Sequence, residues 1–304
     1  MRASFSKLWK RAAIIGLCLA ALAGCSAARL GYNQGPQLAQ WWLDGYLDFS
    51  DEQSPRVRIA LNRWFDWHRR TQLTDYAGLL AQARTRLDGP IDAALVCQWN
   101  DQIRARIEPA LMQALPLATE IVRTLTPAQL VVLEKRYAKN NDKSRQEFLQ
   151  PDRAERMAAS VTRTVERFES FYGRLDENQR RLVADAVAAS PAEPGAWIAA
   201  REQRQREALE ILRRIVDEKP DAARTQQMLR DLARRFDGSP QPATAAAQQR
   251  VVQHNCELIA RLHNSTTPEQ RRTARDKLRG WEGDARQLAA EASPAAAAQA
   301  ELLR

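Results

Sequence analysis

Leu125-Thr126-Pro127-Ala128-Gln129 is the signature of a helix start. A threonine three places before a glutamine marks the first turn of an α-helix. The hydroxyl accepts the backbone N–H of the glutamine, and the glutamine side chain reaches back to the N–H of the threonine. Pro127 falls at the first helical position, where no N–H is needed. The pattern returns as Phe49-Ser50-Asp51-Glu52-Gln53, Leu175-Asp176-Glu177-Asn178-Gln179 and Thr266-Thr267-Pro268-Glu269-Gln270. Four helices therefore open with one device. In the second of the four, Leu125 and Leu130 can add a hydrophobic staple. The glutamines are 76, 50 and 91 residues apart, so they do not mark a regular solenoid repeat.

Apolar side chains recur at helical spacing between these starts. Val57, Leu61, Trp64, Phe65 and His68 form one stripe. Others are Leu95, Trp99, Ile103 and Ile107; Met157, Val161, Val165, Phe168 and Tyr172; and Met228, Leu232 and Phe236. Leu38, Trp41, Trp42 and Leu47 form an earlier one, read as a core helix, with a membrane-interface seat for the two tryptophans as the alternative. Thr74 is expected to cap a helix, and Asp88-Gly89-Pro90 to break the chain. Pro109 and Pro116 should kink or split the helical stretch 91–123. Lys139-Asn140-Asn141-Asp142-Lys143 reads as a frayed turn, and Asp237 to Pro242 as the clearest linker. No alternating β pattern of useful length is present. The expectation is an all-α, irregular antiparallel bundle of about nine to eleven helices. It spans residues 37–292 as a single domain, with a sub-boundary near 237–243 and a frayed tail at 293–304.

The beginning of the chain gives an address. Arg2, Lys7, Lys10 and Arg11 precede an apolar run from Ala12 to Ala23, which is too short to span a bilayer. The run closes on Leu22-Ala23-Gly24-Cys25, which resembles the lipobox of bacterial lipoproteins. That resemblance implies removal of residues 1–24 as a signal peptide and acylation of Cys25, with residues 25–36 as a tether. Ser26 after the cysteine resembles the sorting signal for the outer membrane. The implied location is the periplasmic face of the outer membrane, with the membrane as a partner through the lipid on Cys25.

Charge and cysteine use fit such a place. The formal charge is +9, and removing the four basic residues of the signal segment leaves +5. The charges are mixed along the helices, as expected of solvated faces laced with i,i+4 pairs, and no nucleic-acid partner is expected. Of the 4 cysteines, only Cys97 and Cys256 are left for other roles. An even pair in an oxidising compartment suggests a disulfide, and two buried thiols are the other reading.

Site chemistry is sparse. His68, His254 and His263 share no metal-ligand spacing, so no metal or cofactor is expected. There is no phosphate loop and no Gly-x-Ser-x-Gly elbow, and no enzyme activity is expected. The candidate binding patch is Trp64, Trp67, His68, Arg69 and Arg70, where an aromatic beside arginine suits sugars, peptides or lipid head groups. The competing reading puts Trp64 and Phe65 in the core and Trp67 against a neighbouring helix.

Two family resemblances follow from these residues. Leu125-Thr126-Pro127-Ala128-Gln129 and its copies resemble the LTxxQ motif of the CpxP/Spy periplasmic stress proteins, which implies a chaperone or stress-modulating role. The lipobox, Tyr32-Asn33, the helix from Trp42 to Asp48, the cap Phe49 to Gln53 and Trp67-His68-Arg69-Arg70-Thr71 are together similar to an uncharacterised family of proteobacterial lipoproteins. That second likeness implies location and an all-helical fold, and no activity. Three functions are carried forward: non-enzymatic binding or scaffolding of envelope proteins, holding of unfolded clients, and a peptidoglycan-active enzyme.

Overall fold

The computed structural model describes residues 27–237 and 242–292. Thirteen helical segments are present among these, with no strand. They are α1 (Ala27–Asn33), α2 (Gly35–Leu47), α3 (Gln53–Thr71), α4 (Leu73–Arg86), α5 (Ala93–Arg104), α6 (Ile107–Val122) and α7 (Pro127–Phe148). Then follow α8 (Arg153–Tyr172), α9 (Glu177–Ala188), α10 (Pro194–Glu218), α11 (Ala222–Asp237), α12 (Pro242–Asn264) and α13 (Pro268–Glu291). The all-α expectation holds, and the count exceeds nine to eleven. Residues 1–26, the centre of the 237–243 linker and the tail 293–304 lie outside the described residues, and with them the signal peptide and Cys25.

The helices sort into two packed groups that the chain enters alternately. In one group α2 packs on α3 and α7, α6 on α3 and α11, and α10 on α7 and α11. In the other α4 packs on α13, α5 on α12, α8 on α9 and α13, and α9 on α12. The first group closes over Leu115, Ile215, Met228 and Leu229. The second closes over Val165, Leu175, Val183, Leu262, Ala274 and Leu278, and Ile91, Val96, Cys256 and Ala260 extend it. The junctions α3–α4 and α5–α6 are short breaks in near-continuous helices, so the two groups share long struts.

Several local expectations need correction. Residues from Ala27 are helical rather than a tether: the amide of Gln34 bonds the carbonyl of Leu30 at 3.1 Å, and that of Leu38 bonds Gln34 at 3.0 Å. Gly35 lets this segment lie against α3, because a side chain there would enter the ring of Phe65. Thr74 is not a cap; α4 begins at Leu73, and the break follows Thr71. Lys139–Lys143 is no frayed turn but the middle of α7. Its polar residues meet polar neighbours: Asn141 donates to Gln205 at 2.7 Å, and Asn140 donates to the Tyr46 hydroxyl at 2.8 Å. Helix–helix contacts made by amides leave no hydrophobic stripe to read. The split near Pro109 falls upstream, at Ala105–Arg106. A proline ring clashes with the carbonyl four residues before it, here that of Ala105, so the helix restarts at Ile107. Pro116 sits inside α6.

Candidate functional site

Three local arrangements concentrate the side-chain chemistry. The first joins the helix starts. The box glutamines are not simply caps, because they pair. Gln179 donates to Gln270 at 2.8 Å, and Gln270 donates back at 2.8 Å. Gln179 also donates to the carbonyl of Ser265 at 3.0 Å, and Gln270 to that of Arg174 at 2.9 Å. Each side-chain oxygen meanwhile takes the N–H of its own cap residue, Asp176 or Thr267, at 3.0 and 2.9 Å. Gln53 and Gln129 repeat the arrangement in the other helix group, at 3.2 and 2.7 Å, with Thr124 and Asp48 as the carbonyl acceptors. Every donor and acceptor on these four buried amides is used, which is the condition for burying them without loss. In each group one acceptor follows a turn with positive φ, at Asp48 itself in one and at Gly173 before Arg174 in the other.

The second arrangement is the clasp between α1 and α3. Trp64, His68 and Arg69 share it with Tyr32 and Asn33. The Tyr32 hydroxyl lies 2.8 Å from His68 Nδ1, and Arg69 donates to Asn33 at 2.7 Å while lying over the Tyr32 ring. His68 stacks on Trp64 at 4.8 Å, and the Trp64 indole donates to the carbonyl of Ala110 at 2.9 Å. Arg69 also reaches Glu291 of α13 at 3.7 Å. Burial pushes the His68 pKa down and the Tyr32 hydroxyl up to about 12, so both are neutral near pH 7. Of the five candidate patch residues, Trp64, His68 and Arg69 are thus engaged with the chain itself. Trp67 is half-buried and Arg70 exposed. This arrangement uses its aromatic and basic groups to hold α1 in place.

The third is the covalent link between α5 and α12. Cys97 and Cys256 form a disulfide with their Cα atoms 5.5 Å apart. An open groove of about 610 Å³ lies beside it, lined by Asp101, Gln249, Arg250, His254 and Glu257 among others.

The other two histidines are held within the fold. His263 is fully buried between the Tyr172 hydroxyl, 3.1 Å from Nδ1, and the carbonyl of Gly89, 3.0 Å from Nε2. Its pKa is lowered by burial, which outweighs the Gly89 bond. His254 Nε2 meets the carbonyl of Ala186 at 2.9 Å. Among the described residues no group of three His, Cys, Asp or Glu could hold a metal ion. Glu52 and Glu269 are lowered by hydrogen bonds near their helix starts, to Ser50 for Glu52 and to backbone for Glu269. Burial raises Glu282, but hydrogen bonds and charge from Arg286 and Arg84 bring it below the usual range. A general acid at neutral pH needs the opposite shift.

The reading of α2 as a core helix is also corrected. Leu38, Trp41 and Trp42 are 54 %, 76 % and 55 % exposed, and Leu30 of α1 is 60 % exposed. The inward side of the same helix carries half-buried Leu43 and Leu47 together with Gln40 and Tyr46, which bond Ser54 of α3 and Asn140 of α7. Leu38, Trp41 and Trp42 have the right period and are exposed, whereas Leu47 is half-buried. Hydrophobic periodicity alone does not say which side of a helix is covered.

The class of protein these features define is a disulfide-linked, all-helical bundle whose paired helix starts are welded by buried amides. The chain belongs to a family of unknown function, DUF6279, whose model matches residues 45–237. The match leaves out α12 and α13, although the disulfide and the Gln179–Gln270 pair bind both to the matched part. No curated protein and no solved structure matches the chain.

Proposed function

We propose that the protein is a lipoprotein of the cell envelope, held by acylated Cys25 at the periplasmic face of the outer membrane, and that it binds or scaffolds protein partners without catalysis. The observation that carries this reading is the Cys97–Cys256 disulfide in a chain whose Leu22-Ala23-Gly24-Cys25 resembles a lipobox. Disulfides persist in oxidising compartments, the same side of the membrane to which a lipobox delivers a protein. Binding rather than catalysis is supported by the three histidines, each bonded within the fold, and by shifted carboxylates that all move away from acid–base duty.

A client-holding role in the manner of CpxP/Spy is the second reading. What favours it is the exposure of large apolar side chains, Trp197 and Trp281 on other helices as well as those of α2. The LTxxQ resemblance adds less, since the glutamines are consumed by the paired helix starts.

The test is flotation of envelope membranes from cells making the wild-type chain or Cys25→Ala. Wild type in the outer-membrane fraction and the variant outside it support the anchor. Equal distribution of both overturns it. Aggregation suppression by residues 26–304 at near-stoichiometric amounts would move the role to client holding.

A further inference from the structure

The face of α1 and α2 that carries Leu30, Gln34, Leu38, Trp41 and Trp42 is exposed. Leu30, Gln34, Leu38 and Trp42 follow one another by four residues, Trp41 stands three after Leu38, and the hydrogen bonds through Gln34 keep α1 and α2 in phase, so they form one stripe. The stripe holds four large apolar side chains, all more than half exposed, and its charged neighbour Asp44, three residues after Trp41, accepts the amide of Phe49 at 3.0 Å. The opposite side is committed to the body: Tyr32 and Asn33 to α3, Arg29 to Asp284 of α13, Gln40 to α3 and Tyr46 to α7.

We infer that this stripe lies flat on the leaflet into which the acyl chains of Cys25 insert, with Trp41 and Trp42 at the headgroup level. This rests on the lipoprotein reading of Cys25. Only two peptide steps separate Cys25 from Ala27, a reach of about 7 Å, so the start of α1 sits at the membrane surface. From there the stripe has two options. It can point away, which would carry Trp41 about 21 Å from the surface at 1.5 Å per residue. Or it can lie along the surface, which buries the four exposed apolar side chains of α1–α2. Tryptophan with its apolar body and N–H donor suits that depth. The clasp of Tyr32 and Asn33 on α3 then fixes the whole bundle at one angle to the membrane.

The experiment uses the mature acylated protein in vesicles of three parts phosphatidylethanolamine to one part phosphatidylglycerol, with part of the lipid carrying bromine near the headgroup end of its chains. Mass spectrometry of the same sample records whether Cys25 carries acyl chains. Expected is strong quenching of tryptophan fluorescence in wild type and loss of most of it in the W41F/W42F variant, which removes the reporters and keeps the face apolar. In Leu38→Glu, whose helix content should match wild type, quenching falls with both reporters present. Acylated protein whose quenching is the same in wild type and W41F/W42F overturns the docking and leaves the anchor standing. Cys25 without acyl chains overturns both. Shielding of Trp41 that grows with protein concentration in lipid-free detergent, without quenching in vesicles, assigns the face to a second copy and also overturns the proposal.

Discussion

Gln179 and Gln270 stand 91 residues apart and exchange two hydrogen bonds of 2.8 Å through side chains only 2 % and 8 % exposed. The pair distinguishes an ordinary helix cap from a tertiary weld. In a capping box alone, glutamate serves as well as glutamine, because only the acceptor oxygen is needed. Here the amide N–H₂ has two duties that a carboxylate cannot perform. Gln179→Glu should therefore destabilise the fold by about 2–4 kcal/mol, from lost donors and a charge facing the Ser265 carbonyl. Urea denaturation measures it, and a loss under about 0.5 kcal/mol, the ordinary size of a surface change, would return the glutamine to a simple cap.

The same weld predicts coupling. Gln179→Ala and Gln270→Ala should each cost more than the second costs once the first is made, because the first already leaves its partner unpaired. A double-mutant cycle should give an interaction of about 1–3 kcal/mol. Gln53 and Gln129 should behave alike in the other helix group.

Removing the disulfide by Cys97→Ala with Cys256→Ala should lower stability by about 2–5 kcal/mol, since the link closes a very long loop in the unfolded chain. The residues are 159 apart in sequence, and the link ties the family-matched part of the chain to α12. Denaturation of wild type with and without reductant should reproduce the difference.

His263 gives a pH dependence with a defined sign. Its folded pKa lies below the usual 6.5 because the buried site disfavours the charged ring. Its stabilising contribution is complete above pH 6.5, where the unfolded chain is also neutral. It is lost as the pH falls below 6.5 and through the folded pKa. His68 acts in the same direction. Stability should decline from pH 6.5 toward 5, and His263→Gln, though less stable at pH 7.5, should show a shallower decline. An equal slope in the variant would show that His263 does not set the pH dependence.

Arg69→Ala should free α1 without melting the bundle. It removes the bond to Asn33, the ring contact with Tyr32 and the link to Glu291. Amide exchange in residues 27–34 should quicken markedly, while the melting temperature changes little, because neither α1 nor α2 contributes a fully buried residue.

What could be read in the sequence follows from how local each signal is. The caps at Ser50, Thr126, Asp176 and Thr267 are each fixed by four consecutive residues, and all four form their reciprocal bonds. Pairing between them depends on two helix starts meeting across 76 or 91 residues, which no local pattern encodes. The middle of α7 looked frayed because Asn140 and Asn141 hold their neighbours through amides rather than apolar contact. Trp41 and Trp42 had the right period, but whether a stripe faces protein, water or lipid depends on the rest of the fold. The Tyr32-Asn33 and Trp67-His68-Arg69 segments stood out separately, and only the folded chain brings them together.

The most direct measurement is the mass of the N-terminal peptide of the protein isolated from a Gram-negative host that makes it. The expected product is a chain beginning at Cys25 with a diacylglycerol on its thiol and a third acyl group on its amine. A chain that still carries residues 1–24, or one cut elsewhere with an unmodified Cys25, would contradict it.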